Sequence, residues 1–354
     1  MTFYFFSSQL LENDFRMLLI KALRAKGHEV WHVRIGLLNV LTRSDNERAE
    51  FSGICGFLRL IKCLRAHSKT CKSPSIFVDT TGACVPIRSL FLRASLRGLW
   101  CFDIYDNLLY ELRGLYRLKR RLGISLLAWL SPIKFVLSRE SLRLFPTAYH
   151  LENAAHTRRV SRINSNFTDL VTLFSIDNRF DFRLVREVAA LAPQLKLYLY
   201  GRLATKDQTL KLRLEQLCTS YPNVIYRGEY GFDDVDAILA PFGIGFMPYV
   251  TNNLLTEFIN PDKYYLYLNS GMEVISTDIP QARRMGDWIH IARSPGEIIE
   301  LAARLQSDPT YRKNKNFGQG FSWEQRADDL IEIIQSHIVS YRVGSNRSSQ
   351  LMPE

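Results

Sequence analysis

The chain opens on a short apolar run, Phe3 to Phe6, after which Leu11, Phe15, Leu18, Leu19 and Ala22 recur at helical spacing until Gly27 stops them. From Val30 to Ile35 the pattern returns to a strand, which completes a strand-helix-strand unit and implies a parallel sheet. Apolar runs at Ser75 to Val78, Leu99 to Ile104, Ile133 to Leu137 and Ala148 to Leu151 predict further buried strands, with helical stretches between most of them. The rhythm restarts at Leu170 with LVTLF, a helix around Phe182 to Leu191, the strand KLYLYG, a helix from Thr209 to Cys218 and the strand NVIYRG. It continues through a helix at DDVDAILA, the strand GIGFMPY, a helix in PDKYYLYLN, the strand MEVIST and a helix near Pro295 to Gln306. Two α/β domains are therefore expected, 1–160 and 161–335, joined near residues 156 to 168 where RRVSRINSN reads as a polar linker, with a partly disordered tail over 336–354. In such pairs strand carboxyl ends and helix amino termini converge, so a ligand is expected in a cleft between the two domains.

Composition agrees with a folded interior: of 354 residues, 47% are hydrophobic and 23% charged. Cysteines 55, 63, 71, 84, 101 and 218 form no C-x-x-C pair, so structural zinc and iron-sulfur sites are not expected. Because no apolar run reaches the roughly 18 to 20 residues of a membrane span, and MTFYFFSSQLLENDF lacks a leader pattern, a cytoplasmic location is expected. Charge changes the picture more. The net +11 is uneven: residues 1 to 165 hold 26 Lys/Arg against 12 Asp/Glu, and the remainder 20 against 23. A basic first half suggests an anionic partner for that half alone, a membrane surface or a nucleic acid. Within it LRGLYRLKRRLGISLLAWLSP, residues 112 to 132, mixes basic residues with Leu, Ile, Tyr and Trp, as a segment lying in a lipid headgroup layer does. A plain amphipathic helix with a solvated basic face has the same pattern.

Candidate chemistry concentrates in INPDKYYLYLNSGMEVISTDIP, residues 259 to 280. Asn260 suits a helix N-cap, Pro261 its first turn, and Lys263 then lies among exposed backbone N–H groups at the positive end of the helix, an anion site. Gly271 would end that helix. An ordinary capped helix would read alike. For acid-base work the strand ends of the first half offer Asp79, after SIFV, and Asp103 and Asp106 around the end of LWCFDIYDN; Asp106, then Asp79, are the candidate bases. Helix or turn capping is the competing reading for each. His150 and His156 sit near the end of the first domain, and Glu152 and Asn153 read as hinge or cleft residues.

NPDKYYLYLNSGMEVISTDIP resembles the asparagine-proline-x-lysine, tyrosine-leucine, glycine, threonine and proline signature in the donor domain of family 4 type GT-B glycosyltransferases. LFSIDNRFDFRLVREVAALAPQLKLYLYGR, NVIYRGEYGFDDVDAILAPFGIGFMPY and FSWEQRADDL resemble, in order, other segments of that domain, so the likeness covers roughly residues 165 to 335. In the first half it is limited to the opening strand-helix-strand, LWCFDIYDN and LENAAH. The resemblance implies two Rossmann-like domains facing across a cleft, a nucleoside diphosphate sugar in the second, an acceptor in the first, and no metal or other cofactor. Carried over residue by residue, Lys263 and Arg179 neutralise the donor diphosphate, Asn260 belongs to the same motif, Tyr267 and Gly271 lie near the nucleoside, and Arg202 is a further phosphate or nucleotide candidate. Solvated surface charge is the plain alternative for Arg179 and Arg202.

Departures from that pattern are equally specific. The paired glutamates of the family fall at Phe258 and Leu266, with Glu257 one residue off, and the glycine usual at the end of the first donor strand is Phe174. Xanthan-type glucuronosyltransferases also lack the pair. The reading that follows is a transferase that moves a sugar onto a cell-surface glycan or polyprenyl-linked acceptor, as in exopolysaccharide or lipopolysaccharide synthesis, peripheral on the inner face of the membrane. Alternatives are a catalytically degenerate partner protein, suggested by Phe174 and Leu266, and a basic nucleic-acid-binding protein, against which stands the absence of a reading motif.

Overall fold

A computed structural model of the chain describes residues 1–11, 16–44, 47–80, 86–104, 114–155, 166–203, 208–313, 317 and 321–349, and these form two compact units. Unit 1 holds residues 1–152 together with 323–354, and unit 2 holds 153–322. The chain thus passes from unit 1 to unit 2 at 152/153 and returns to unit 1 at 322/323 with its closing helix.

Unit 1 runs β1 (Thr2–Ser7), α1 (Met17–Ala25), β2 (Glu29–Arg34), β3 (Leu38–Ser44), β4 (Glu47–Ser52), α2 (Gly53–Thr70) and β5 (Ser75–Asp79), then α3 (Pro86–Ser95), β6 (Leu99–Ile104), α4 (Gly114–Leu130), β7 (Ile133–Val136) and β8 (Tyr149–His150). Its sheet has the order β4-β3-β2-β1-β5-β6-β7-β8. Strands β2, β1, β5, β6, β7 and β8 pair in parallel, all but the short β8 being largely buried runs, while β3 and β4 add an antiparallel hairpin at the edge. That hairpin was not expected, because β4 (ERAEFS) is exposed along most of its length and carries no apolar run.

Unit 2 runs β9 (Asn166–Leu173), α5 (Phe182–Leu191), β10 (Leu197–Tyr200), α6 (Gln208–Ser220), β11 (Val224–Tyr226), α7 (Val235–Leu239) and β12 (Phe242–Met247). After these come α8 (Leu254–Glu257), α9 (Asp262–Asn269), β13 (Glu273–Thr277), α10 (Pro280–Arg284), β14 (His290–Ala292) and α11 (Pro295–Ser307). All six strands are parallel, in the order β11-β10-β9-β12-β13-β14. This is the doubly wound order in which chain direction across the sheet reverses between the first and fourth strands, here β9 and β12.

The last helix, α12 (Trp323–Ser349), packs on α1 of unit 1. Lys26 pairs with Asp328 at 2.7 Å, Arg326 lies 3.6 Å from Glu152, and Tyr149 bonds His337 at 3.0 Å. Its apolar positions Trp323, Ala327, Leu330 and Ile334, at helical spacing, are all buried. The tail expected to be disordered is helical through Ser349.

Candidate functional site

In unit 2 the loop after β9, Phe174 to Asp181, is stapled on both sides. Ile176 N–H donates to the Arg202 carbonyl (2.9 Å) at the exit of β10, while Asp181 N–H donates to Pro248 O (2.8 Å) and Val250 N–H to Arg179 O (2.9 Å) at the exit of β12. Two isolated bridges, Ile176 to Leu203 and Phe180 to Tyr249, complete the lacing. Arg179 is therefore fixed at the switch point of the sheet. Its guanidinium lies on Asp177, with Nε 3.1 Å from both carboxylate oxygens and an Nη at 2.6 Å.

The neighbouring feature is the amino terminus of α9. The helix begins at Asp262 with Pro261, at φ −65° and ψ 121°, as its N-cap residue, so the expected cap at Asn260 falls one residue early. Asn260 is buried instead, and its carbonyl accepts from Asn153 Nδ2 at 2.8 Å. Asn153, expected as a hinge or cleft residue, thereby braces the approach to α9. Lys263 sits in the first turn, its Nζ 2.7 Å from Asp262. Burial works against its charge, but Asp262 and Tyr230 outweigh it and hold the lysine pKa above its ordinary value. Two anchored cations and the first-turn N–H groups of α9 so form the positive part of the site.

Tyr249 ties the two parts together. It is buried, its N–H donates to Thr277 Oγ1 at 3.0 Å, and the charges of Arg179, Asp262 and Asp177 all act on its phenol. Burial, with Tyr264 next, pushes that phenol far above the ordinary tyrosine range, so it stays protonated. Tyr230 likewise is raised by burial, while Lys263 pulls it down. It also lines a surface cavity of about 690 Å³ on the β10 and β11 side, together with Tyr198, Tyr200, Arg227, Ile238 and Phe242. Asp177, Tyr230, Tyr249 and Asp262 were missed by the sequence reading. Both aspartates stand within two residues of a singled-out cation, which was the available signal.

The remaining expected residues play other parts. Tyr267 is fully buried: its hydroxyl accepts the Leu173 N–H at 2.5 Å, and its ring fills the space above Gly245, where an added Cβ would lie 2.5 Å from it. It supports the end of β9 instead of lining an open surface. Tyr264 and Tyr265 are equally buried, bonded to Ser276 (2.5 Å) and Gln281 (3.4 Å), so α9 is pinned to the sheet at β9 and β13 and to α10. Gly271, at φ +72° and exposed, terminates α9 as expected. Arg202 is exposed beside Gly201, whose φ is +147° and whose Cβ, if present, would fall 1.6 Å from the Phe174 carbonyl. Gly201 thus lets the exit of β10 pass close to the backbone at the end of β9. Phe174 itself packs on Phe180 and Tyr249, and Leu266 against the core.

In unit 1, Asp79 ends β5 buried, with Ser89 Oγ 3.4 Å and Arg93 3.5 Å from its carboxylate oxygens. Asp103 is committed to Arg16, which is fully buried and grips it through Nε (2.7 Å) and an Nη (2.9 Å). Its carboxylate is a structural partner and not a free base. Asp106 and His156 lie outside the described residues, while His150 bonds the Leu137 carbonyl at 3.0 Å. Among the described residues the one trio with metal-ligand atoms close together is Glu29, His67 and Cys71, at the amino-terminal ends of β1 and β2; Glu29 hydrogen-bonds both others. No described helix is long and apolar enough to cross a membrane.

No family model matches the chain, and no curated protein matches it. Solved structures do. A sucrose-phosphate synthase from Thermosynechococcus elongatus aligns with TM-score 0.70 at 13% identity over 96% of this chain and 99% of that one. The Anabaena protein HepE, solved in complex with UDP and glucose, aligns with TM-score 0.64 at 12% identity over 94% and 99%. The lipopolysaccharide outer core galactosyltransferase WaaB, in its apo form, aligns with TM-score 0.59 at 11% identity over 95% and 100%. At such identities the likeness is one of fold, and together with the two parallel sheets it gives this chain the GT-B fold.

Proposed function

We propose that this protein is a glycosyltransferase that moves a sugar from a nucleoside diphosphate sugar to a glycan or polyprenyl-linked acceptor. The observation that carries the reading is that the charges of Arg179, held at the β9/β12 switch point, and of Asp262, which starts α9 and bonds Lys263, both reach the buried Tyr249, on a fold shared with a sucrose-phosphate synthase and with a protein solved with UDP and glucose. When the acceptor oxygen bonds the anomeric carbon, the bond from that carbon to the phosphate oxygen breaks and the departing diphosphate gains charge. Preorganised cations stabilise that charge without reorganising, which is where such a site gains most. Lys263, kept protonated beyond neutral pH, and Arg179 take this part, and no metal is required of them. Tyr230, between Lys263 and the cavity, is the residue we expect to face the nucleoside. An inverting transfer also needs a base for the acceptor hydroxyl proton, for which Asp106 is the first candidate and Asp79 the second. The cell-surface acceptor goes with a cytoplasmic enzyme held peripherally at an anionic membrane.

A thermal-shift panel of UDP, GDP, ADP and dTDP on the wild type and on Lys263→Ala tests the donor site. A ligand of the folded state at about 100 times its Kd adds ~2.7 kcal/mol of stability. Stabilisation by one nucleotide that weakens in the variant is the expected result. If well-folded protein is stabilised by none of the four, the degenerate or nucleic-acid-binding reading takes over.

A further inference from the structure

Helices α2, α3 and α4 form one continuous layer, α3 packing against both neighbours, on one face of the unit 1 sheet. Right-handed crossovers put α1, and the α12 packed on it, on the other face. The two faces differ sharply in charge. Across the 18, 10 and 17 residues of α2, α3 and α4 there are ten lysines and arginines and no Asp or Glu. By contrast α1 and α12 together carry five lysines and arginines against four acids, Glu324, Asp328, Asp329 and Glu332.

A helix that covers a sheet normally turns its apolar stripe inward and polar groups outward. The inward half holds in α4, where Ile124, Leu127 and Ala128 are buried. Its outward half is apolar as well: Leu115, Leu118, Leu122 and Trp129, separated by helical steps of 3, 4 and 7, form one stripe, with Leu115 83% and Trp129 80% exposed. On the adjoining α3, Ile87 and Phe91 are exposed one turn apart. Lys119 and Arg121 are exposed on either side of the α4 stripe, and Arg59, Lys62, Arg65 and Lys69 along α2.

Three occupants can be weighed by chemistry. A second copy of the chain, meeting this face with the same face, would oppose cation to cation with no acid to pair them. A nucleic acid would satisfy the charge but offers its phosphates to cations and leaves the leucine and tryptophan stripe uncovered. An anionic bilayer takes both, headgroup phosphates on the lysines and arginines and the acyl boundary on the stripe.

We propose that the α2-α3-α4 face of unit 1 docks on an anionic lipid bilayer, with α4 lying in the headgroup layer. The proposal deepens the membrane side of the function given above and uses none of its donor-site residues. The experiment is cosedimentation of the full chain with vesicles of phosphatidylglycerol and phosphatidylethanolamine, and with phosphatidylcholine alone, at low and high salt. Wild-type protein is expected to partition onto the anionic vesicles only, to lose binding with salt, and to show a blue shift of tryptophan emission that Trp129→Phe abolishes. Leu122→Ser/Trp129→Ser and Lys119→Glu/Arg121→Glu should each lower partitioning at least tenfold. Their melting temperatures and nucleotide-induced shifts should match wild type, which separates failure of this face from failure of the donor site. The proposal is overturned by absence of vesicle binding at low salt, by equal binding to phosphatidylcholine, by variants that bind like wild type, or by binding to nucleic acid in place of vesicles.

Discussion

Replacing Tyr267 by Phe removes a single oxygen and leaves the ring seated over Gly245. That oxygen is the acceptor for the Leu173 N–H, at 2.5 Å and fully buried, where β9 ends and the loop to Arg179 begins. A buried backbone donor left without its partner costs about 1 to 3 kcal/mol, because no water replaces the lost acceptor. Local opening of the β9 end should therefore become roughly 5 to 150 times more populated. Amide hydrogen exchange reads this directly: the peptide containing Leu173 should exchange faster by that factor, while β14 and α11, which share no atom with the change, keep their protection. Nucleotide affinity should fall as well, but by less than in Lys263→Ala, since the variant loosens the platform and keeps both cations. Exchange at Leu173 within twofold of wild type would refute the reasoning, for the hydroxyl would then be dispensable to the end of β9.

Two further outcomes follow from the ion pairs. Arg16→Met leaves the buried Asp103 carboxylate without its bidentate partner and should cost about 3 to 5 kcal/mol, whereas Arg16→Met/Asp103→Leu, which removes both charges, should recover most of it in chemical denaturation followed by a probe of unit 1. Asp278 is held below the usual carboxylate range: burial works against this, but hydrogen bonds and charge from Arg283 (2.5 Å) and Arg293 (2.9 Å) outweigh it. A lowered folded-state pKa contributes stability that is present above the unfolded value near 4 and lost as pH falls through the folded one. Asp278→Asn should accordingly destabilise by ~1 kcal/mol at pH 7, given the exposure of both arginines, and leave stability close to wild type once acid has protonated the folded-state carboxylate.

Much of the architecture was legible because parallel strands buried on both faces read as bare apolar runs, as in FYFF, SIFV and GIGFM. What was not legible depends on partners remote in sequence. The α12 pattern predicts a helix, but which sheet it covers is settled by Lys26 and Glu152, more than 170 residues upstream of the residues they meet. Asn260 has the right side chain for an N-cap, yet Asn153 takes its carbonyl and the helix starts two residues later. Of the three tyrosines of KYYLY only Tyr267 was singled out, as a nucleoside neighbour, while the three hydroxyls select Leu173, Ser276 and Gln281, which no spacing rule names.

The cations of the candidate site show where a local reading falls short of a site. Arg179 and Lys263 were singled out as phosphate partners, and each lies against an aspartate one or two residues away. An aspartate in that position holds the cation in place before an anion arrives, and then competes with that anion for the same donors. On the function proposed here, the affinity of these cations for a diphosphate is the difference between two charge-assisted contacts and not the strength of one. A cation held in this way keeps its geometry at the expense of ground-state binding, and it yields its full attraction only to a partner more highly charged than the carboxylate. A departing nucleoside diphosphate is such a partner, and an intact sugar nucleotide is less so, which is the direction in which a transferase site must discriminate.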